Sequence, residues 1–232
     1  MVDDAALAAG TDGTSPEGLL DAPSPIARRR MTAGQRREQL LDVGRALFAE
    51  RGFDATTMEE IAAKAQVSKP VVYEHFGTKE GLYGVVVDRE VLDLLSRITE
   101  SLSGEGSARV FLERAALALL DYIESSSDGF RILVRDSPVS HATGSFSSLL
   151  GDVATQVEHL LVGAFARHGF DPHAAPMYAQ MLVGMIAMTG QWWLDSREPA
   201  KANVAAHLVN LAWNGLSSLD PAPRLIARTA LG

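Results

Sequence analysis

Thr57, Ser68, Lys69, Val71, Tyr73, His75 and Lys79 fall in one short stretch, and their side chains share a use. Hydroxyls such as those of Thr57 and Ser68, set beside the free N–H groups of helix starts, can hold phosphate oxygens where the helix dipole favours an anion. The Lys69 ammonium can reach a phosphate or the acceptors of a guanine, and a Val71 methyl can meet a thymine methyl. Tyr73 and His75 can set polar tips against a nucleic-acid backbone, and Lys79 can add a phosphate clamp. Arg36, within the basic run IARRRMTAGQRREQLL, extends the set. Other chemistry is poorly served. There is no cysteine, the six histidines lack a metal-ligand spacing, and no G-x-S-x-G or Walker loop occurs. No catalytic residue, metal or cofactor is expected.

Such a set works only if short helices hold it at one angle. Leu40, Leu41, Val43, Leu47 and Phe48 recur at three- and four-residue spacing, which predicts a helix over Ala33–Arg51 ended by Gly52. Thr57, three residues before Glu60, forms a capping-box pattern that opens a short helix to about Ala65. Gln66-Val67 makes a tight turn, and Ser68 caps a second short helix with Pro70 in its first turn and Gly77 at its end. Two short helices across a tight turn have the dimensions of a helix-turn-helix, the second being the one that enters a major groove. Ile61, Val67, Val72 and Phe76 would form the small core beneath. The competing reading at this stage is two ordinary core helices with polar outer faces.

The rest of the chain is helical in period, with no convincing strand alternation. Helices are predicted from Thr78 towards Ser103, over Ala108–Ser125, around the short stretch FRILVR, over Phe146–His168, from Pro172 to Ser196 and from Ala200 to Leu216. The count is about nine, and the fold class is all-α. Residues 1–27, rich in Ala, Gly, Asp, Ser and Pro, read as a disordered tail. The net charge of −8 argues at first against a nucleic-acid partner, but its distribution decides otherwise. Residues 28–79 are the one basic island, with ten basic and seven acidic side chains. The absence of cysteine, of a basic secretory n-region and of any long apolar run favours a cytoplasmic location without a membrane partner.

The stretches Gly52-Phe53-Asp54-Ala55-Thr56-Thr57-Met58-Glu59-Glu60-Ile61-Ala62 and Val67 to Tyr83, with Tyr-x-His-Phe followed by Gly-Thr-Lys-Glu, closely resemble the N-terminal domain of TetR-family transcriptional regulators. The match spans about Thr32–Val87. It departs from many members in having Gln66 where they have glycine, so Gln66 is expected in a left-handed conformation at some cost. The resemblance implies a DNA-binding domain over 28–87 and a ligand-binding and dimerisation domain over 88–232. It further implies a homodimer on a near-palindromic operator, with an effector that moves the helix beginning at Thr78. By the same resemblance the last two helices form the dimer interface, here Met188, Trp192, Leu208, Leu211, Ala212 and Gly215.

Periodicity offers Phe111, Tyr122, Phe130, Phe146, Val153, Val157 and Phe165 as pocket residues, and their lack of charge favours a hydrophobic effector. Met177, Met181, Met185, Met188 and Trp192 make one stripe, read either as dimer or domain core or as a soft ligand wall that includes Met181 and Met185. The segments LLDYIESSSDGFRILVRD and WWLDSREPAKANVAAHLVNLAWNGL are similar to those of family members that govern fatty-acid metabolism, which makes a long-chain acyl-CoA the favoured effector. The resulting reading is a ligand-responsive repressor. Its alternatives are an activator of the same fold and a helical lipid carrier or enzyme with a vestigial helix-turn-helix.

Overall fold

The computed structural model describes residues 31–135 and 146–225. The expected tail over 1–27 and the loop around Pro138 and His141 lie outside these. Among the described residues there are nine α-helices and no strand. They are α1 (Ala33–Arg51), α2 (Met58–Lys64), α3 (Lys69–Phe76), α4 (Lys79–Ser101), α5 (Ala108–Ser125), α6 (Ser127–Val134), α7 (Phe146–His168), α8 (Ala175–Ser196) and α9 (Lys201–Ser217). A single 3-10 turn, Pro172–Ala174, precedes α8.

The helix boundaries follow from local chemistry. Thr32 opens α1 with a capping box, its hydroxyl accepting from the Gln35 amide while its own amide donates to the Gln35 side chain. Thr57 and Glu60 form the same device at α2. The turn after α2 closes with two backbone bonds, Gln66 N–H to Ala63 O at 3.1 Å and Val67 N–H to Ala62 O at 3.0 Å. This is a Schellman arrangement, which demands positive φ at its central residue. Gln66 supplies it at φ 56°, as the sequence led us to expect. We therefore expect Gln66→Gly to raise stability by roughly 0.5 kcal/mol, the relief of left-handed strain outweighing the added freedom of the unfolded chain. Chemical denaturation checks this, and a loss of stability would show that Gln66 has a compensating contact.

Packing makes one continuous apolar core from α1 through α8 and α9. In the N-terminal part, Leu40, Ile61 and Val72 are fully buried where α1, α2 and α3 meet. Phe48, Phe53 and Tyr83 form an edge-on aromatic cluster that ties α1 and the α1–α2 connector to α4, with Tyr83 5.0 Å from each of the other two rings. The α3–α4 junction is tight, since a Cβ on Gly81 would lie 2.4 Å from the Phe76 carbonyl oxygen. Helix α4, of 23 residues, runs on from there. At about 1.5 Å per residue it is roughly 35 Å long. Its first turns pack on α1 and α3, and its last turns pack on α5 and α7.

Candidate nucleic-acid interface and effector cavity

Helix α3 buries Val72 and turns its other side outward. Ser68, Lys69, Pro70 and Tyr73 are exposed, and Val71 and His75 are half-buried at the edges of that face. Ser68 stands at the N-cap position, but its side chain makes no cap bond, contrary to the expectation that it caps the helix. The hydroxyl is left over for another acceptor. Thr57, by contrast, is tied to Glu60, donating from its hydroxyl to the carboxylate at 3.1 Å. Arg36 donates to the Gln39 side chain at 2.6 Å, one turn along α1.

Two lysines differ from expectation in instructive ways. Lys69 donates to Glu59 across the helix-turn-helix and sits 5.5 Å above the Tyr73 ring. The hydrogen bond to Lys69 holds the Glu59 carboxyl below its ordinary range, and the carboxylate in turn raises the Lys69 ammonium. Lys79 was expected to clamp a phosphate. Instead its ammonium is turned onto the protein, donating to the carbonyls of Phe53 at 3.0 Å and Thr56 at 3.1 Å and lying 4.2 Å from the Phe53 ring centroid. It holds the α1–α2 connector, its ammonium gathering the carbonyls of Phe53, Asp54 and Thr56.

Sequence reading missed Arg37, which donates to the His75 carbonyl at 2.9 Å and stacks 4.5 Å over the Phe76 ring, bracing the end of α3 from α1. No local periodicity reveals a contact across so many residues. It also missed a buried polar node between the two halves of the chain. Glu90 of α4 accepts from the Tyr122 hydroxyl at 2.6 Å and the Ser126 hydroxyl at 3.1 Å, and its other oxygen lies 2.8 Å from Arg45 of α1. Arg45 also donates to Ser126. Burial, then the Glu90 carboxylate, push the Tyr122 hydroxyl far above the ordinary tyrosine value, so it remains a donor. A signal was present: Glu90 shares a helix face with Val86, Val87 and Leu94, where a carboxylate needs partners.

The C-terminal half holds an apolar cavity of about 230 Å³ between α4, α5, α7 and α8. Leu94 and Ile98 of α4, Leu119 of α5 and Val183 of α8 form part of its wall. Of the residues chosen from periodicity, Phe111, Phe146, Val153 and Val157 line it. The others do not. Tyr122 and Phe130 are fully buried behind it, with Phe130 5.7 Å from the Phe146 ring, and Phe165 packs in a separate cluster with Phe170 and Tyr178. Met185 is half-buried in neighbouring core, and Met181 is 56% exposed. An apolar face cannot by itself tell which of its side chains fill space and which border it. For the same reason Leu208 and Ala212, expected at a dimer interface, are buried in the protein's own core. Met188, Trp192, Leu211 and Gly215 do lie on the outer surface of α8 and α9.

A helix-turn-helix with an exposed polar second helix, joined to a larger helical half, is the architecture of a DNA-binding transcriptional regulator. Residues 40–86 match the family model of the bacterial regulatory proteins of the tetR family, and residues 109–215 match a tetracyclin repressor-like C-terminal domain. The HTH-type transcriptional activator FasR of Mycolicibacterium smegmatis is 33% identical over 190 residues, covering 81% of this chain and 86% of the relative. The HTH-type transcriptional repressor KstR2 of Rhodococcus jostii is 28% identical over 129 residues, covering 55% of this chain and 62% of the relative. A TetR-like transcriptional regulator from Rhodococcus sp. RHA1 superposes with a TM-score of 0.70 at 27% identity, over 82% of this chain and the whole of the other. The fatty acid degradation regulator FadR of Bacillus halodurans shares the fold, with a TM-score of 0.65 at 14% identity over 80% of this chain and 98% of the other. The chain belongs to the TetR family of transcriptional regulators, and it is a regulator rather than an enzyme.

Proposed function

We propose that this regulator binds a near-palindromic operator as a homodimer in the cytoplasm and leaves it when an apolar effector fills the cavity, with a long-chain acyl-CoA the favoured candidate. The observation that carries this reading is that one helix serves both sites. The start of α4 supports α3, while Leu94, Ile98 and Leu102 near its end form cavity wall. About 230 Å³ is below the roughly 300–1,000 Å³ of typical ligand sites. A bulky occupant must therefore press the walls apart, and a rigid α4 carries that displacement to the recognition helix. Two recognition helices must fit grooves about 34–36 Å apart, so a shift of a few ångströms suffices to change affinity.

Met177, Met181, Met188 and Trp192 on α8, with Leu211 on α9, are more than half exposed and make one apolar face. Such a face supports pairing with a second copy about a two-fold axis. The bound dimer represses or activates according to where the operator lies relative to the promoter, and we favour repression relieved on release.

The test is fluorescence anisotropy with DNA from the protein's own promoter, titrated with salt and then with acyl-CoA. Tyr73→Ala, which removes an exposed side chain from the centre of α3, is expected to weaken operator binding by about 1–3 kcal/mol without changing stability. Salt-independent or absent DNA binding would overturn the regulatory mechanism proposed here. Binding indifferent to every apolar ligand would overturn the effector assignment alone.

A further inference from the structure

The shape of the cavity and the one charged wall residue among those described point to more than an apolar effector. Its border follows α7 lengthwise, from Phe146 through Val153, Val157 and Leu160 to Arg167. These positions span about 31 Å of helix at 1.5 Å per residue. A volume of about 230 Å³ drawn out over such a length describes a narrow slot, not a round chamber. Among the described residues, the almost fully buried Leu94 and Leu149 close one end. At the other end, Gly106, Leu160 and Arg167 are all exposed and all border the cavity, which marks the mouth.

Among the described residues Arg167 is the single charged side chain in the lining, and it makes no hydrogen bond or ion pair with another described residue. Its guanidinium lies on the cavity side of α7, close to Gly163, where a Cβ would come within 3.4 Å of its Nη1. A slot one chain wide, closed and apolar at one end and cationic at its mouth, has the chemistry of a single-chain anionic amphiphile.

We infer that the effector is an unbranched alkyl chain bearing an anionic head, the chain lying along α7 and the head held by Arg167. This rests on the reading of the cavity as the effector site, and it adds the direction of entry, the residue that selects the head and the exclusion of broad ring systems. The anion is a carboxylate or a phosphate, since a guanidinium takes either with paired hydrogen bonds. The competing role for Arg167 is to balance the C-terminal dipole of α7, which needs no ligand.

The experiment uses the full-length protein and measures binding of dodecanoate, dodecyl phosphate, dodecanol and a steroid carboxylate by calorimetry. Wild type is expected to bind the better of the two dodecyl anions about tenfold more tightly than dodecanol, the size appropriate to an exposed charge pair. Which anion is tighter identifies carboxylate or phosphate as the head. The steroid acid is expected to bind at least about tenfold more weakly than the matching chain. Arg167→Gln should bind dodecanol as wild type does and lose the preference for anions, and Arg167→Lys should keep most of it. An unchanged anion-to-alcohol ratio in Arg167→Gln, with only a slightly lower Tm, would leave Arg167 as a helix-dipole residue and overturn the inference. Equal binding of the steroid acid would overturn the slot. If wild type bound dodecanol and the anions equally, the head-group assignment alone would fall. Were none of the four bound, the effector-site reading itself would fall with it.

Discussion

Glu90→Ala is expected to destabilise the protein by about 2–3 kcal/mol, lowering Tm by roughly 5–10 °C. The carboxylate is the shared partner of Arg45 on α1, Tyr122 on α5 and Ser126 at the α5–α6 junction, and only 11% of its side-chain surface is accessible. Its removal strands the Tyr122 hydroxyl, which is fully buried, at about 1–3 kcal/mol for an unmet polar group. It also leaves Arg45 without its counter-charge, a smaller loss because Arg45 is 31% accessible and can turn to water. Glu90→Gln keeps the shape and an acceptor for Tyr122, so it should cost less than half as much. Gly129 packs so closely that a Cβ would fall 1.8 Å from a Glu90 oxygen, which leaves the carboxylate one position.

The node also carries a pH signature. Tyr122 keeps its proton in the folded protein well above the ordinary tyrosine value of 10.0, because burial and the neighbouring carboxylate oppose its ionisation. Its contribution is therefore fully present below pH 10. It is lost as pH rises beyond that value, where the unfolded chain releases the proton and the folded chain retains it. Denaturation curves between pH 9 and 11 should show a steeper fall for wild type than for Tyr122→Phe. Parallel curves would mean that Tyr122 ionises freely and that the node is looser than its geometry.

Lys79→Ala should lower stability by about 1–2 kcal/mol and weaken operator binding about tenfold, while leaving the salt dependence of binding nearly unchanged. The ammonium donates to carbonyls of the α1–α2 connector and lies over Phe53, so its loss loosens the segment that sets α2, and α2 positions α3. Thermal denaturation and salt-titrated anisotropy together decide the matter. A direct phosphate clamp would give the opposite pattern, with stability unmoved and the salt slope reduced by about one phosphate contact. Lys79→Met, which keeps the stem over Phe53 and removes the charge, should fall between the two.

Much of the scaffold was readable before any coordinates. The bounds of α1 and α5 match those read from the apolar spacing, with Gly52 ending α1, since amphipathic period and helix stops are local. Gln66 was legible as a left-handed residue because it stands where many members of the resembling family have glycine. The exposed face of α3 was readable as well, from poor helix formers kept around one buried Val72. The partners of that face were not. Glu59 and Lys69 meet across the turn, Arg37 reaches His75 from another helix, and Lys79 faces inward rather than outward, all of which depend on the angle between helices.

By itself, then, the order of residues determined the helices, the helix-turn-helix, the basic island within an acidic chain and the family to which all of these belong. Those are properties of neighbours a few positions apart, where hydrogen bonding and period act directly. Only the tertiary structure decided which apolar side chains border a cavity and which fill the core, as Phe111 and Phe146 do the first and Tyr122 and Phe130 the second. It alone brought Arg45, Glu90 and Tyr122 to one point and set Arg167 among the apolar residues that border the cavity. A void is defined by the surfaces of several helices at once, and no single helix carries the information that a void is there.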